Sequence, residues 1–173
     1  MAIPNAPARV AFVLATCLTL SFAASAQAPV PEPALTAFDA VAFFSGRTTG
    51  EGQLKKMFSA AQTTHVTGQG RVESGELVLD QSVTIAGEPR REREWRLRAL
   101  SPSHWSGTLS DARGPVDATA AGRVLTIAYV SNAGLGITQT VTLAANGRSA
   151  HNMMRVRKFG MTVATLDETI TRD

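Results

Sequence analysis

From Thr48 to Arg172 the chain alternates apolar and polar residues with a period of two. This alternation indicates β-strands that bury one face, because successive side chains on a strand point to opposite sides. Clusters of Gly, Pro, Asn and Ser interrupt the alternation at regular intervals and mark turns. The pattern predicts ten strands, near residues 49–58, 64–72, 76–85, 90–99, 104–110, 115–120, 123–131, 137–144, 150–158 and 161–171.

The connections between these strands are of hairpin length, so the sheet is antiparallel; parallel pairing needs crossovers of about a dozen residues. A meander of this many strands that hides one face closes into a barrel or folds into a sandwich. We therefore predict an all-β fold, an up-and-down antiparallel β-barrel of the lipocalin-like kind. It forms a single domain over residues 34–173.

A different period precedes the strands. Leu35, Phe38, Val41 and Ala42 recur at helical spacing, and Gly46 follows where a helix would stop. We predict a short N-terminal helix of two to three turns that packs on the core as an apolar plug or lid.

The N-terminus has the features of a secretory signal peptide over residues 1–26. An uncharged apolar run from Val10 to Phe22 is followed by the small residues Ala24-Ser25-Ala26. The mature chain is then expected to begin at Gln27, in the periplasm or outside the cell. A proline-spaced leader over residues 27–33 separates the cleavage site from the folded domain.

The single cysteine, Cys17, lies inside this apolar run. Leu14-Ala15-Thr16-Cys17 only weakly matches a lipid-attachment site, so we expect the cysteine to be removed and the mature chain to lack disulfides. No later run is long enough for a transmembrane helix. The net charge is +3, and one less without Arg9, which argues against nucleic acid as a partner.

Four predicted strands place one polar residue each on their apolar face. These residues are Gln81, Arg93, Gln139 and Glu168, and Trp95 shares a face with Arg93. Polar groups inside a barrel are costly unless they bond to each other or to a ligand.

Three interpretations of this set are open. In the first, Arg93 and Glu168 form a buried pair, and Gln81 and Gln139 complete it around an ordered water. In the second, the same four residues orient the polar end of a mostly apolar ligand, with Trp95 as an apolar wall. In the third, a bulge shifts the alternation and misplaces the residues.

Other chemistry has weak support in the sequence. His65, His104 and His151 have no neighbouring ligand-type residue, so we predict no metal site and no cofactor. Nucleophile elbows and phosphate-binding loops are absent, and nothing in the sequence calls for an enzyme. The charged run Arg90 to Arg98 mixes both signs and is typical of a solvated strand face with ion pairs.

Several short motifs together resemble a family of exported bacterial proteins known as domain of unknown function 3833. They are Phe43-Phe44-Ser45-Gly46, Arg93-x-Trp95, Asp111 with Gly114, Asn152, Lys158-Phe159-Gly160 and Glu168-Thr169-Ile170-x-Arg172. The resemblance covers nearly the whole mature chain. It implies a lipocalin-like domain in the cell envelope and a lipid-related role, with no established activity to transfer. Many relatives look like lipoproteins, and this chain departs from them by its poor lipid-attachment site.

Taken together, the residues and the resemblance predict an extracytoplasmic barrel that binds or carries a small apolar or amphipathic, lipid-like molecule. Two alternatives stay open: a dry structural barrel whose arginine-rich face contacts an envelope partner, and an enzyme acting on a lipid or a cyclic small molecule. The interior volume separates the first two, because a binding barrel needs a cavity of several hundred cubic ångströms.

Overall fold

The computed structural model describes residues 37–173. The predicted signal peptide and proline leader lie outside these residues. One helix and ten strands follow in chain order: α1 (Ala40–Phe44), β1 (Gly46–Lys56), β2 (Ala61–Glu73), β3 (Glu76–Ile85), β4 (Arg91–Ser101), β5 (His104–Leu109), β6 (Val116–Ala121), β7 (Val124–Val130), β8 (Gly136–Leu143), β9 (Ser149–Lys158) and β10 (Met161–Arg172).

The strands form a closed antiparallel barrel. Each strand pairs with the next along the chain, and β1 also pairs with β10, where Leu54 lies opposite Leu166. Closure leaves no unpaired sheet edge, which removes the usual site of edge-to-edge aggregation. The predicted up-and-down barrel is therefore confirmed.

All ten predicted strands are present. The largest differences are at the starts of β1 and β2, which begin three residues earlier than predicted, at Gly46 and Ala61. Both stretches consist mainly of Thr, Gly, Gln and Arg. They therefore lack the alternation of apolar and polar residues from which the strands were predicted. Their backbone is nevertheless paired, because the neighbouring strands extend alongside.

The helix is shorter than predicted, and Asp39 explains its start. The Asp39 carboxylate accepts a hydrogen bond from the Ala42 backbone N–H at 3.0 Å, which caps the first turn. The helix ends at Phe44, and Gly46 follows with a φ of 94°, a left-handed conformation that favours glycine. Leu35, which contributed to the longer prediction, lies outside the described residues.

The prediction that this helix packs on the core is confirmed. Phe38, Phe43 and Phe44 are all buried, with ring centroids between 5.0 and 6.3 Å apart. The Phe38 backbone N–H also donates to the Gly122 carbonyl in the β6–β7 turn, at 2.8 Å. The helix segment thus reaches from β1 across to the opposite wall. We call the end of the barrel that it covers the closed end.

Below the helix, inward-facing apolar side chains fill the closed end of the barrel. Examples are Leu77, Leu97, Trp105, Leu125, Leu143 and Ile170. At the other end, the open end, the strands are joined by the turns at 57–60, 86–90, 110–115, 131–135 and 159–160. In the part of the chain that the structure describes, no helix has the length and hydrophobicity needed to cross a membrane.

Candidate ligand-binding site

A cavity of about 760 Å³ lies between the filled closed end and the open end. Its wall is mainly apolar and includes Leu79, Ile127, Ile137, Met154 and Leu166. The five residues predicted for the site also line this cavity: Gln81, Arg93, Trp95, Gln139 and Glu168. The inward placement predicted from strand alternation holds for all five, and their role toward a ligand stays a prediction.

Glycines on β1 provide part of this space. A Cβ built on Gly50 would lie 2.9 Å from Glu168 Cδ, and one built on Gly52 would lie 2.9 Å from Glu168 Cβ. Both distances are too short for real side chains, so only glycine leaves room for the Glu168 side chain against β1.

One group of polar side chains lies on β3 and β4. The Gln81 Oε1 accepts two hydrogen bonds, from Arg93 Nε at 2.9 Å and from Trp95 Nε1 at 2.7 Å. The Arg93 guanidinium lies 5.4 Å from the centre of the Trp95 ring, within the range of a cation–π contact. Tyr129 packs edge-on against the same ring, with centroids 5.6 Å apart. We call Gln81, Arg93 and Trp95 the arginine group.

A second group lies on β8, β9 and β10. Asn152 Nδ2 donates to Glu168 Oε2 at 2.9 Å and to Gln139 Oε1 at 3.1 Å. All three side chains are buried; Glu168 is 5% exposed and Asn152 2%. Burial raises the pKa of Glu168 above its ordinary value, and the Asn152 hydrogen bond and the Arg93 charge only partly oppose this. We call Gln139, Asn152 and Glu168 the carboxyl group.

The structure does not show the buried Arg93–Glu168 pair of the first interpretation. Among the ion pairs of residues 37–173, none joins these two side chains. The strand order explains the separation, because β4 and β10 are four positions apart around the barrel. Glu168 instead lies directly opposite Asn152 in the β9–β10 register.

Three buried polar atoms at the cavity have no hydrogen-bond partner among the described residues. They are Thr64 Oγ1, Gln139 Nε2 and Asn152 Oδ1. Buried polar groups in native proteins are nearly always satisfied, so atoms of this kind indicate a missing partner such as a water or a ligand. The three residues that carry these atoms line the cavity.

Sequence reasoning missed several cavity residues, among them Asn152, Thr64 and Tyr129. In the sequence, Asn152 stands out only as part of a family motif. The alternation along its strand could have placed Asn152 inside the barrel, because Asn152 lies on the same buried face as Ala150 and Val156. Tyr129 is buried as well, which raises the pKa of its hydroxyl above the ordinary value.

The three histidines lie on the outer surface of the barrel. Each histidine contacts a carboxylate on a neighbouring strand: His65 with Glu51 at 2.6 Å, His104 with Asp117 at 2.7 Å and His151 with Asp167 at 2.9 Å. Within residues 37–173 no cluster of three or more His, Cys, Asp or Glu side chains is placed to hold a metal ion.

The arginine-rich strand β4 shows the solvated face that its sequence predicted. Arg90 pairs with Glu92 at 2.7 Å, and Arg96 pairs with Glu94 at 2.7 Å and with Glu76 across the strand boundary at 3.6 Å. Ion pairs this exposed contribute little to stability.

The chain matches, over residues 12–172, the family described as protein of unknown function DUF3833. It belongs to this family. The resemblance drawn from the short motifs is thereby confirmed. Among functionally curated proteins, no sequence is significantly similar to the chain.

A solved structure supports the fold of this DUF3833 protein. The S-type phycobiliprotein lyase CPES from Guillardia theta is similar with a TM-score of 0.59 and 6% sequence identity, covering 77% of this chain and 90% of the lyase. EF1p2_mFAP2b bound to DFHBI gives a TM-score of 0.43 and 11% identity, with 78% and 97% of the two chains covered. At such low identity the first likeness establishes a shared lipocalin-like barrel, and the second is too weak to support any argument.

Proposed function

We propose that this barrel binds a small amphipathic, lipid-like molecule, with the apolar part in the cavity and the polar part at the arginine and carboxyl groups. The observation that carries the proposal is the hollow interior. Its volume of about 760 Å³ falls within the range of about 300–1,000 Å³ typical of ligand pockets. A dry structural barrel would have these inward positions filled by side chains.

The composition of the wall favours an apolar ligand body. Water confined against Leu79, Ile137 and Leu166 forms fewer hydrogen bonds than in bulk, so an apolar ligand that displaces it gains free energy. The exposed wall is mainly apolar, and the polar side chains of the arginine and carboxyl groups lie within it, an arrangement that fixes the orientation of a ligand.

The arginine group favours an acidic headgroup. Arg93 bonds Gln81 through Nε and also interacts with the Tyr129 hydroxyl, and its five N–H donors exceed these two contacts, so donors remain for an oxyanion. Arg93 also lines the cavity toward the open end, since it lies near the start of β4. An acyl chain with a carboxylate or phosphate fits this order, with its head near Arg93 and its tail deeper inside.

We further propose that the protein works outside the cytoplasm. This part of the proposal is supported by the signal-peptide features of residues 1–26 and is independent of the barrel geometry.

Tryptophan fluorescence tests the binding proposal directly. Trp95 lines the cavity, whereas Trp105 is packed in the filled closed end, so Trp105→Phe isolates the signal of interest. We expect oleate to change Trp95 emission saturably. Arg93→Met should weaken oleate binding about tenfold, the value of one lost charge-assisted hydrogen bond.

The matched control is Arg98→Met, which removes an arginine from the exposed face of the same strand and should leave affinity unchanged. Flat titrations with oleate, a long-chain alcohol and a lysophospholipid would contradict the proposal. Equal weakening by both arginine substitutions would show that net charge, and not the cavity, governs binding.

A further inference from the structure

Two hairpin tips at the open end carry exposed apolar side chains. Phe58 in the β1–β2 turn is 98% exposed and Phe159 in the β9–β10 turn is 89% exposed. Met57 and Met161 beside them are also exposed. The two hairpins are neighbours, because β1 pairs with β10 and the Met57 N–H donates to the Val163 carbonyl at 2.9 Å. We call Met57, Phe58, Phe159 and Met161 the apolar tips.

The backbone at both phenylalanines is unusual. Phe58 has a φ of 61° and Phe159 a φ of 49°, a left-handed conformation that is costly for bulky side chains. Glycine or asparagine would fit both turns better. A side chain this exposed returns almost nothing to folding through burial, so the phenylalanines are best explained by contact with something outside the chain.

Positive charge surrounds the apolar tips. Segments 55–62 and 155–164 contain five cationic residues and no carboxylate. These are Lys55, Lys56, Arg155, Arg157 and Lys158, of which Lys56 pairs with Glu88 in the β3–β4 turn. The Lys158 ammonium lies 5.6 Å from the centre of the Phe159 ring, so the charge and the apolar tip are presented together. The combination of aromatic side chains and lysines is that of proteins that bind anionic lipid surfaces.

We infer that the open end of the barrel docks onto an anionic phospholipid bilayer, with Phe58 and Phe159 inserted among the lipids and the neighbouring lysines on the headgroups. Single side chains that protrude from two turns suit a fluid surface better than a protein partner, which needs a packed and complementary patch. Met57 lines the cavity mouth as well, so docking would set that mouth against the membrane.

Vesicle sedimentation tests the proposal, using the protein purified in the processed form that its cells produce. We expect binding to vesicles of phosphatidylcholine and phosphatidylglycerol in equal parts, and much weaker binding to phosphatidylcholine alone. Phe58→Ser with Phe159→Ser should reduce partitioning at least about tenfold, given the apolar area withdrawn. Lys55→Gln with Lys158→Gln should reduce it about thirtyfold in low salt, and less in high salt.

The matched control lies at the closed end, where Val72 and Leu100 are also exposed. Val72→Ser with Leu100→Ser should leave vesicle binding unchanged. Because all four changes lie on the surface, the unfolding midpoint should not move. As a second measurement, Phe58→Trp should give a blue-shifted emission on vesicle addition, whereas Leu100→Trp should not.

Three results would overturn the inference: no vesicle binding, equal loss in both serine variants, or conversion of a dimer to a monomer by the phenylalanine changes. The last would assign the apolar tips to a second copy of the chain. The inference does not depend on the ligand-binding proposal. The phenylalanine variant should still bind oleate delivered from solution, so failure of either proposal leaves the other measurable.

Discussion

Replacing Asn152 by leucine should destabilise the barrel by about 3 kcal/mol at pH values where Glu168 is ionised. Asn152 supplies the hydrogen bond to the buried Glu168 carboxyl and a second one to Gln139. A hydrogen bond to a charged group contributes about 1.5–3 kcal/mol, and an orphaned buried acceptor costs about 1–3 kcal/mol more. Leucine keeps the branching at Cγ, so the main loss is the pair of donated bonds.

The loss should depend on pH in a defined direction. The Asn152 hydrogen bond lowers the pKa of Glu168 against the larger effect of burial, so its removal raises that pKa further. The destabilisation should therefore be larger at pH values where Glu168 is ionised in the wild type, and smaller in acid, where the carboxyl is neutral. Glu168→Leu combined with Asn152→Leu should recover much of the loss, because no buried charge is left unpaired.

Urea unfolding measures the destabilisation caused by Asn152→Leu. With a slope of about 2 kcal/mol per molar urea, the midpoint of Asn152→Leu should fall by about 1.5 M. Asn132→Leu, in an exposed turn at the open end, is the control and should leave the midpoint in place. A loss under about 1 kcal/mol that is the same in acid and at neutral pH would refute the reasoning, since it would mean that water already solvates Glu168.

Three further outcomes are expected. The pKa of Glu168 is raised in the folded state, so the contribution of Glu168 to stability should be fully present below its ordinary value of 4.5 and should be lost as the pH rises through the folded pKa; Glu168→Gln should remove this part of the pH dependence from the urea-unfolding profile. Gly50→Ala should cost about 1–3 kcal/mol through its clash with Glu168, whereas Gly136→Ala, whose nearest neighbour is a carbonyl at 4.0 Å, should be tolerated in the same unfolding assay. Intact-mass analysis should find a mature chain that starts at Gln27, and a diacylated species that starts at Cys17 would contradict the proposed processing.

The barrel was predictable because its signal is local. Alternation and turn residues are properties of short segments, and they located all ten strands and the inward parity of Gln81, Arg93, Gln139 and Glu168. Register shifts occur near Ala99 and Thr162 but lie beyond these residues, so the parity held.

The partners within the site were not predictable in the same way. Which polar residues meet depends on the order and register of ten strands around a closed sheet, and no local pattern contains that information. Strand parity placed Arg93 and Glu168 in the interior and allowed them to pair, whereas the fold gives Glu168 an amide partner from the adjacent strand. The space beside Glu168 depends on Gly50 and Gly52, whose importance follows only from which strand lies next to them.

The helix that covers the closed end limits how a ligand could enter and leave the barrel. In the described part of the chain, Phe38, Phe43 and Phe44 block the closed end, and the cavity lies on the other side of the packed core. Access to the cavity is therefore from the open end. Under the proposed function, a second ligand could not displace the first from the opposite end, so uptake and release would both take place at the open end and would follow one another in time.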